Sequence, residues 1–156
     1  MMDTILITYG TRPFAQRLAK QLSSTFNCHF ASSEPFPDIL LKSNYRKIPT
    51  GPNPTFAHEL LKLALDEGYQ YILPLGKMEL QPLHEARILL EEYGIFVLLP
   101  EELDNCPLIE NPPSALDVRI VKQGLDLLSG EQLTPIYFSG ATLLSDAGDE
   151  PALCIV

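Results

Sequence analysis

The sequence predicts a three-layer α/β fold on a mainly parallel sheet of four or five strands, with a C-terminal helix and strand extension. Three observations carry this expectation. Apolar runs of four or five residues lack alternation, as strands covered on both faces do. Between them lie apolar stripes at helical spacing, each with one face to bury. The two kinds follow in the order β-α-β-(β)-α-β-α-β, which implies parallel pairing with right-handed crossovers.

Ile5-Leu6-Ile7-Thr8 is the first strand. A turn at Tyr9-Gly10-Thr11-Arg12 leads into a helix with Phe14, Leu18 and Leu22 on one face. Pro13 suits the first helical position, where its missing N–H costs nothing. Asn27 to Ala31 is a second strand, and Tyr45 to Pro49 a short third. Asn53-Pro54 starts a helix with Phe56, Leu60, Leu61 and Ala64 inward, stopped by Gly68. Tyr71 to Leu75 is the fourth strand. A third helix runs from Glu79 to Tyr93 with Leu80, Leu83, Ala86 and Leu90 inward, and Ile95 to Leu98 is the fifth strand.

The chain divides by composition into an α/β unit over 1–106 and a tail over 107–156. Three prolines between Pro107 and Pro113 mark a linker. Ser114 to Asp117 has the spacing of a capping box, so a helix to about Leu128 is expected, although Gly124 weakens it. Pro135 to Phe138 and Ala152 to Val156 are expected strands, joined by a turn-rich stretch from Ser145 to Glu150. Those strands should join the sheet, pair with each other, or pair across a dimer, because an unpaired apolar edge is a liability.

The chain has 156 residues, 46% of them hydrophobic, as expected of one globular unit with a real core. No apolar run approaches the roughly 20 residues of a bilayer span, and no signal peptide is evident, so a cytoplasmic protein is expected. The net charge of −9 offers no basic face for nucleic acid. Cys28, Cys106 and Cys154 are far apart and lack zinc-ligand spacing, so they read as reduced thiols and no metal site is expected.

In open α/β sheets, ligands bind beyond the carboxyl ends of the strands, where the strand order switches. That rule selects Gly10, Thr11 and Arg12 after the first strand, and Gly76, Lys77 and Glu79 after the fourth. Ser32, Ser33 and Glu34 follow the second strand, and Pro100, Glu101 and Glu102 the fifth. A Rossmann-like dinucleotide loop needs G-x-G-x-x-G, and only Gly10 is present, so no dinucleotide is expected. Arg12 at a helix start suits an anion or stands as a solvated cation, and Lys77 with Glu79 suits either a small polar substrate or an exposed ion pair with each other. His29, His58 and His84 have no nucleophile at a telling spacing, and no catalytic residue is assigned.

Taken together, these segments resemble a family. ILITYGTRPFAQRLAKQL is similar to the opening of the N-terminal, pre-ATP-grasp domain of ATP-grasp enzymes such as carbamoyl-phosphate synthase and biotin carboxylase. SNYRKIPTGPNPTFAHELLKLALDEGYQYILPLGKMEL resembles the family's Ser-x-x-Tyr segment, proline, helix, strand and acidic residue, here Ser43, Tyr45 (one position early), Pro49, Ile72 to Leu75 and Glu79. YGIFVLLPEEL is similar to the next strand and loop, and LDVRIVKQGLDLLSGEQLTPIYF and DEPALCIV to the lead-in to the ATP-grasp core. Where the family has Asp-Lys, this chain has Asp117-Val118.

The resemblance implies a Rossmann-like fold and a role in an ATP-dependent carboxylate–amine ligase. The family's glycine-rich loop, lysines and metal carboxylates lie in later subdomains and have no counterpart here. The implied role is therefore a non-catalytic domain, a fragment or subunit that lends small-anion contacts through Gly10, Thr11, Arg12, Lys77 and Glu79. ATP and magnesium would be held only with a core supplied by a downstream domain or partner chain. The alternative is a stand-alone binding or regulatory module, a homodimer through its C-terminal strands, with no ATP chemistry.

Overall fold

The computed structural model describes residues 2–143 and 151–156. Its first half alternates strands and helices. In order these are β1 (Thr4–Ile7), α1 (Pro13–Leu22), β2 (Asn27–Ser32) and β3 (Tyr45–Lys47), with a turn of 3-10 helix at Asp38–Lys42. Then come α2 (Phe56–Glu67), β4 (Tyr71–Leu73), α3 (Lys77–Glu85), α4 (Arg87–Glu92) and β5 (Phe96–Val97). The five strands form one sheet in the order β3-β2-β1-β4-β5, and every neighbouring pair is parallel. The expected α/β fold with a five-stranded parallel sheet is therefore present.

The lack of alternation in β1 has its reason in the packing. Ile5 and Ile7 pack with Phe14, Leu18 and Leu22 of α1. Leu6 faces the other way, with Phe56 and Leu60 of α2, Leu83 of α3 and Leu90 of α4. All three β1 residues are fully buried, and each such side chain contributes about 1.5–3 kcal/mol. Pro13 opens α1 as its spacing predicts. Gly68 ends α2 in the left-handed conformation, φ 76°.

The third helix departs from expectation. It starts at Lys77 rather than Glu79 and divides at Ala86 into α3 and α4. Pro82 lies inside α3 and has no N–H for the Met78 carbonyl, so the ladder is already interrupted one turn before the break.

The tail differs more. The expected helix from Ser114 to Leu128 is absent. In its place, β7 (Val118–Lys122) and β8 (Leu125–Asp126) form a hairpin, after β6 (Leu108–Glu110) inside the presumed linker. Gln123 and Gly124 link the hairpin, with φ of 48° and 84°. Two left-handed residues make the tight turn that matches strand twist. Val118, Ile120 and Val121 are β-branched and buried, which favours the strand. Asp117 caps no helix and instead pairs with Arg119 at 3.0 Å.

Nor is Pro135 to Phe138 a strand. It is a turn closed by the Phe138 N–H on the Pro135 carbonyl, with Ile136 74% exposed and Phe138 buried. The strand comes later, as β9 (Gly140–Leu143), and β10 (Leu153–Ile155) follows. The stretch Ser145 to Glu150 lies outside the described residues. These strands form a second sheet, β6-β10-β9-β7-β8. The strands at the C-terminal end thus pair with each other, and β10 has both neighbours within the chain. Val118, Ile120, Ala141 and Cys154 of this sheet share one core with Ile5, Ile7 and α1. Among the described residues, no helix is long and apolar enough to cross a membrane.

Candidate functional site

The strand order reverses direction between β1 and β4. Chain runs outward to β2 and β3 on one side and to β5 on the other. Sheets of this kind bind ligands in the crevice between the loops that follow the two strands flanking the switch, here β1 and β4. Thr8, Tyr9 and Gly10 come from the first loop, and Leu75, Gly76 and Glu79 from the second.

Glu79 is the centre of this place. It is the third residue of α3, and 1% exposed. Its Oε1 accepts the Gly76 N–H at 3.1 Å, so the side chain caps its own helix. The same oxygen accepts the Thr8 hydroxyl at 2.6 Å. Thr8, fully buried, in turn accepts the Leu75 N–H at 2.8 Å. One hydroxyl therefore ties the end of β1 to the loop after β4 and to the start of α3. Burial pushes the Glu79 carboxyl up to about 7, against the pull of Thr8 and the nearby backbone amides.

Tyr9 sits over this knot. It holds φ at 52°, unusual for a bulky residue and costing about 1–3 kcal/mol. Its ring lies so close to Gly76 that a methyl group there would overlap it. Burial, then the charges of Glu79 and Glu34, raise the Tyr9 phenol above its ordinary value. The structure thus places Glu79, Gly76 and Tyr9 together, with Thr8 beneath them.

The other expected residues are placed differently. Gly10 presses against the Phe30 side chain, which is why a glycine stands there. Its N–H goes to the Ala31 carbonyl at 3.0 Å, and the Arg12 N–H goes to Tyr9 at 2.9 Å. Neither amide is left for a phosphate. Arg12 grips Glu34 with two parallel bonds of 2.8 Å, and that pairing lowers the Glu34 carboxyl and raises the guanidinium. Thr11 and Lys77 are exposed, and Lys77 is in none of the ion pairs found among the described residues.

Thr8 escaped the sequence reading. The signal was there: a hydroxyl ending an otherwise apolar strand, at the position that faces the crevice. The loop after β5 lies apart from this site, where Glu101, Glu102 and Asp104 line a groove of about 440 Å³ with Tyr137 and Phe138. The histidines do not join the site either. His29 on β2 pairs with the Tyr69 hydroxyl at 3.0 Å, His84 lies 2.5 Å from the Glu101 carbonyl, and His58 is exposed on α2. Among the described residues no group of three or more His, Cys, Asp or Glu could hold a metal. No protein-family model matches the chain, and no curated protein matches it.

Proposed function

We propose that this chain is a non-catalytic recognition module of the pre-ATP-grasp type, cytoplasmic, which offers a small polar ligand the crevice between β1 and β4. The observation that carries the reading is the position of Glu79. A buried carboxylate stands at the switch in strand order, held by Thr8 from one loop and Gly76 from the other. The reading takes the fold as three layers. α2, α3 and α4 cover one face of the parallel sheet, and α1 with the second sheet covers the other, in line with the two separate cores.

Chemistry on ATP belongs to other parts in this reading. Phosphoryl transfer needs a metal and cations set around the phosphates. The cations near the crevice are Arg12, committed to Glu34, and Lys77. ATP and magnesium would enter only with an ATP-grasp core from a downstream domain or a partner chain. The alternative, a stand-alone dimer through the C-terminal strands, draws less support because β10 already lies between β6 and β9.

The test is a nuclear magnetic resonance titration of the 156-residue protein with small carboxylates, phosphates, amines and Mg·ATP. Shifts centred on Thr8 to Arg12 and Gly76 to Glu79, with no phosphate released from ATP, are expected. Release of phosphate, or shifts only elsewhere, would overturn the reading. The mass of the native polypeptide then separates the two sources of a core. A mass well above 17.4 kDa puts it downstream, and a matching mass calls for a partner chain.

A further inference from the structure

The loop that joins β4 to α3 is fastened by side chains rather than by a ladder. The Leu75 N–H goes to the Thr8 hydroxyl at 2.8 Å, and the Gly76 N–H goes to Glu79 Oε1 at 3.1 Å. Thr8 donates to that same oxygen at 2.6 Å. Leu75 is also fixed from the other side, fully buried and with its carbonyl accepting the Val156 N–H at 2.9 Å. The first turn of α3 is held less firmly. Lys77 and Met78 are exposed, Met78 by 61%. Pro82 offers no N–H to the Met78 carbonyl. Of residues 77–79, Glu79 is the one buried. A hinge therefore falls at Gly76, between the fixed Leu75 and the turn that Glu79 pins down.

The pin is a carboxyl among neutral groups. Burial acts on it, with the Thr8 hydroxyl and the Gly76 and Leu75 N–H groups. The loop after β1 brings the Tyr9 phenol, and beyond it Arg12 and Glu34, which are paired with each other. The loop before α2 packs Gly51 against the Met78–Glu79 peptide and has no charged residue from Ile48 to Thr55. Glu79 belongs to none of the ion pairs among the described residues. Neutral donors satisfy a neutral carboxyl, but a carboxylate here has no cation to offset its lost hydration. Tyr9 lies across the hinge at φ 52°, its ring against Gly76.

We propose that Glu79 is a proton-operated latch at the switch in strand order: protonated, it holds the first turn of α3 down on Thr8, and ionised, it swings about Gly76 into water and frees the Tyr9 ring. The proposal needs no ligand and stands apart from the recognition reading. The closed state binds the proton more tightly than the open one. Opening is therefore suppressed below about 4.5, grows as pH rises and levels off above about 7. This is a local motion, distinct from unfolding of the sheet beneath it.

The experiment is native-state hydrogen exchange of the full chain, followed by nuclear magnetic resonance from pH 4.5 to 7.5. It is run without urea and in urea below the unfolding transition, with rates corrected for the intrinsic pH dependence of exchange. The Gly76 and Glu79 amides report the latch, since they bond to Glu79 Oε1 and to the Gly76 carbonyl. The Leu6 and Ile72 amides, inside the parallel sheet, report unfolding. The opening equilibrium at Gly76 and Glu79 should rise by about 300-fold between pH 4.5 and 7 and stay unchanged in low urea. In Glu79→Gln, whose amide oxygen can still serve Thr8 and Gly76, the rise should vanish. Exchange at Gly76 and Glu79 that matches Leu6 and Ile72 and shares their urea dependence would overturn the latch. So would an opening that does not change with pH, or the same rise in the glutamine variant. The wild-type profiles decide the matter even where the variant does not fold.

Discussion

Replacing Glu79 by glutamine should make the protein more stable above neutral pH, the reverse of the usual result of altering a buried, hydrogen-bonded side chain. Burial raises this carboxyl from 4.5 to about 7. Between those values the folded chain holds a proton that the unfolded chain has lost. Stability therefore falls as pH rises across that window. Above about 7 both states are ionised, and the folded state carries the full penalty of ~3 kcal/mol. Below 4.5 both are protonated and the penalty is gone. Glutamine cannot ionise, so it should match the wild type at low pH and exceed it by ~3 kcal/mol at pH 8.

The assay is urea unfolding followed by circular dichroism, from pH 4.5 to 8.5, on both proteins. With a slope of about 2 kcal/mol/M, the variant's midpoint at pH 8 should lie ~1.5 M higher. His29, held below its ordinary value, acts with the opposite sign, but it is present in both proteins and cancels in the difference. Parallel pH profiles would refute the reasoning. So would a glutamine variant clearly weaker at pH 8, since the ionised carboxylate would then be stabilised in the fold.

Four further outcomes are expected. Gly76→Ala should cost about 1–3 kcal/mol and shift the Tyr9 ring resonances, because its methyl overlaps that ring; unchanged resonances and stability would count against the packing. In a double-mutant cycle, Arg12 and Glu34 should couple by no more than about 1 kcal/mol, less in high salt, since they are 44% and 34% exposed; a coupling above about 2 kcal/mol would contradict that. Lys122→Met should cost ~1 kcal/mol in urea unfolding, because the ammonium lies 5.0 Å from the Tyr71 ring centre and 4.8 Å from that of Phe96. Burial, then Arg46, holds His29 below its ordinary value, so its share of stability is present above about 6.5 and lost on acidification; a ring titration at or above that value would refute this.

The parallel half was legible because each of its elements has one dominant signal. Ile5, Leu6 and Ile7 are buried on both faces, and no helix reading fits a run that short before Gly10. The tail was not legible because two local signals disagreed. Ser114 and Asp117 have helix-start spacing, whereas Val118, Ile120 and Val121 favour a strand. Long-range pairing with β9 decides between them, over the register Val118↔Leu143 to Val121↔Gly140. A window along the chain does not contain that partner. Gly124 was the usable clue. It is costly in a helix but free of strain at φ 84° in a hairpin turn.

At the crevice, position was readable and chemistry was not. Glu79 follows a buried strand and Gly76, which marks it as a residue near the switch in strand order. Whether it pairs with Lys77, lies in solvent or turns inward depends on Thr8, which is 71 residues away along the chain. The same holds for Arg12. Its place at a helix start suits an anion, but Glu34, in the loop after β2, reaches it first. In both cases a contact across parallel strands sets the charge of the crevice. The cation that sequence order assigns to the ligand is neutralised inside the chain, and the carboxylate is left as the group without a counter-ion.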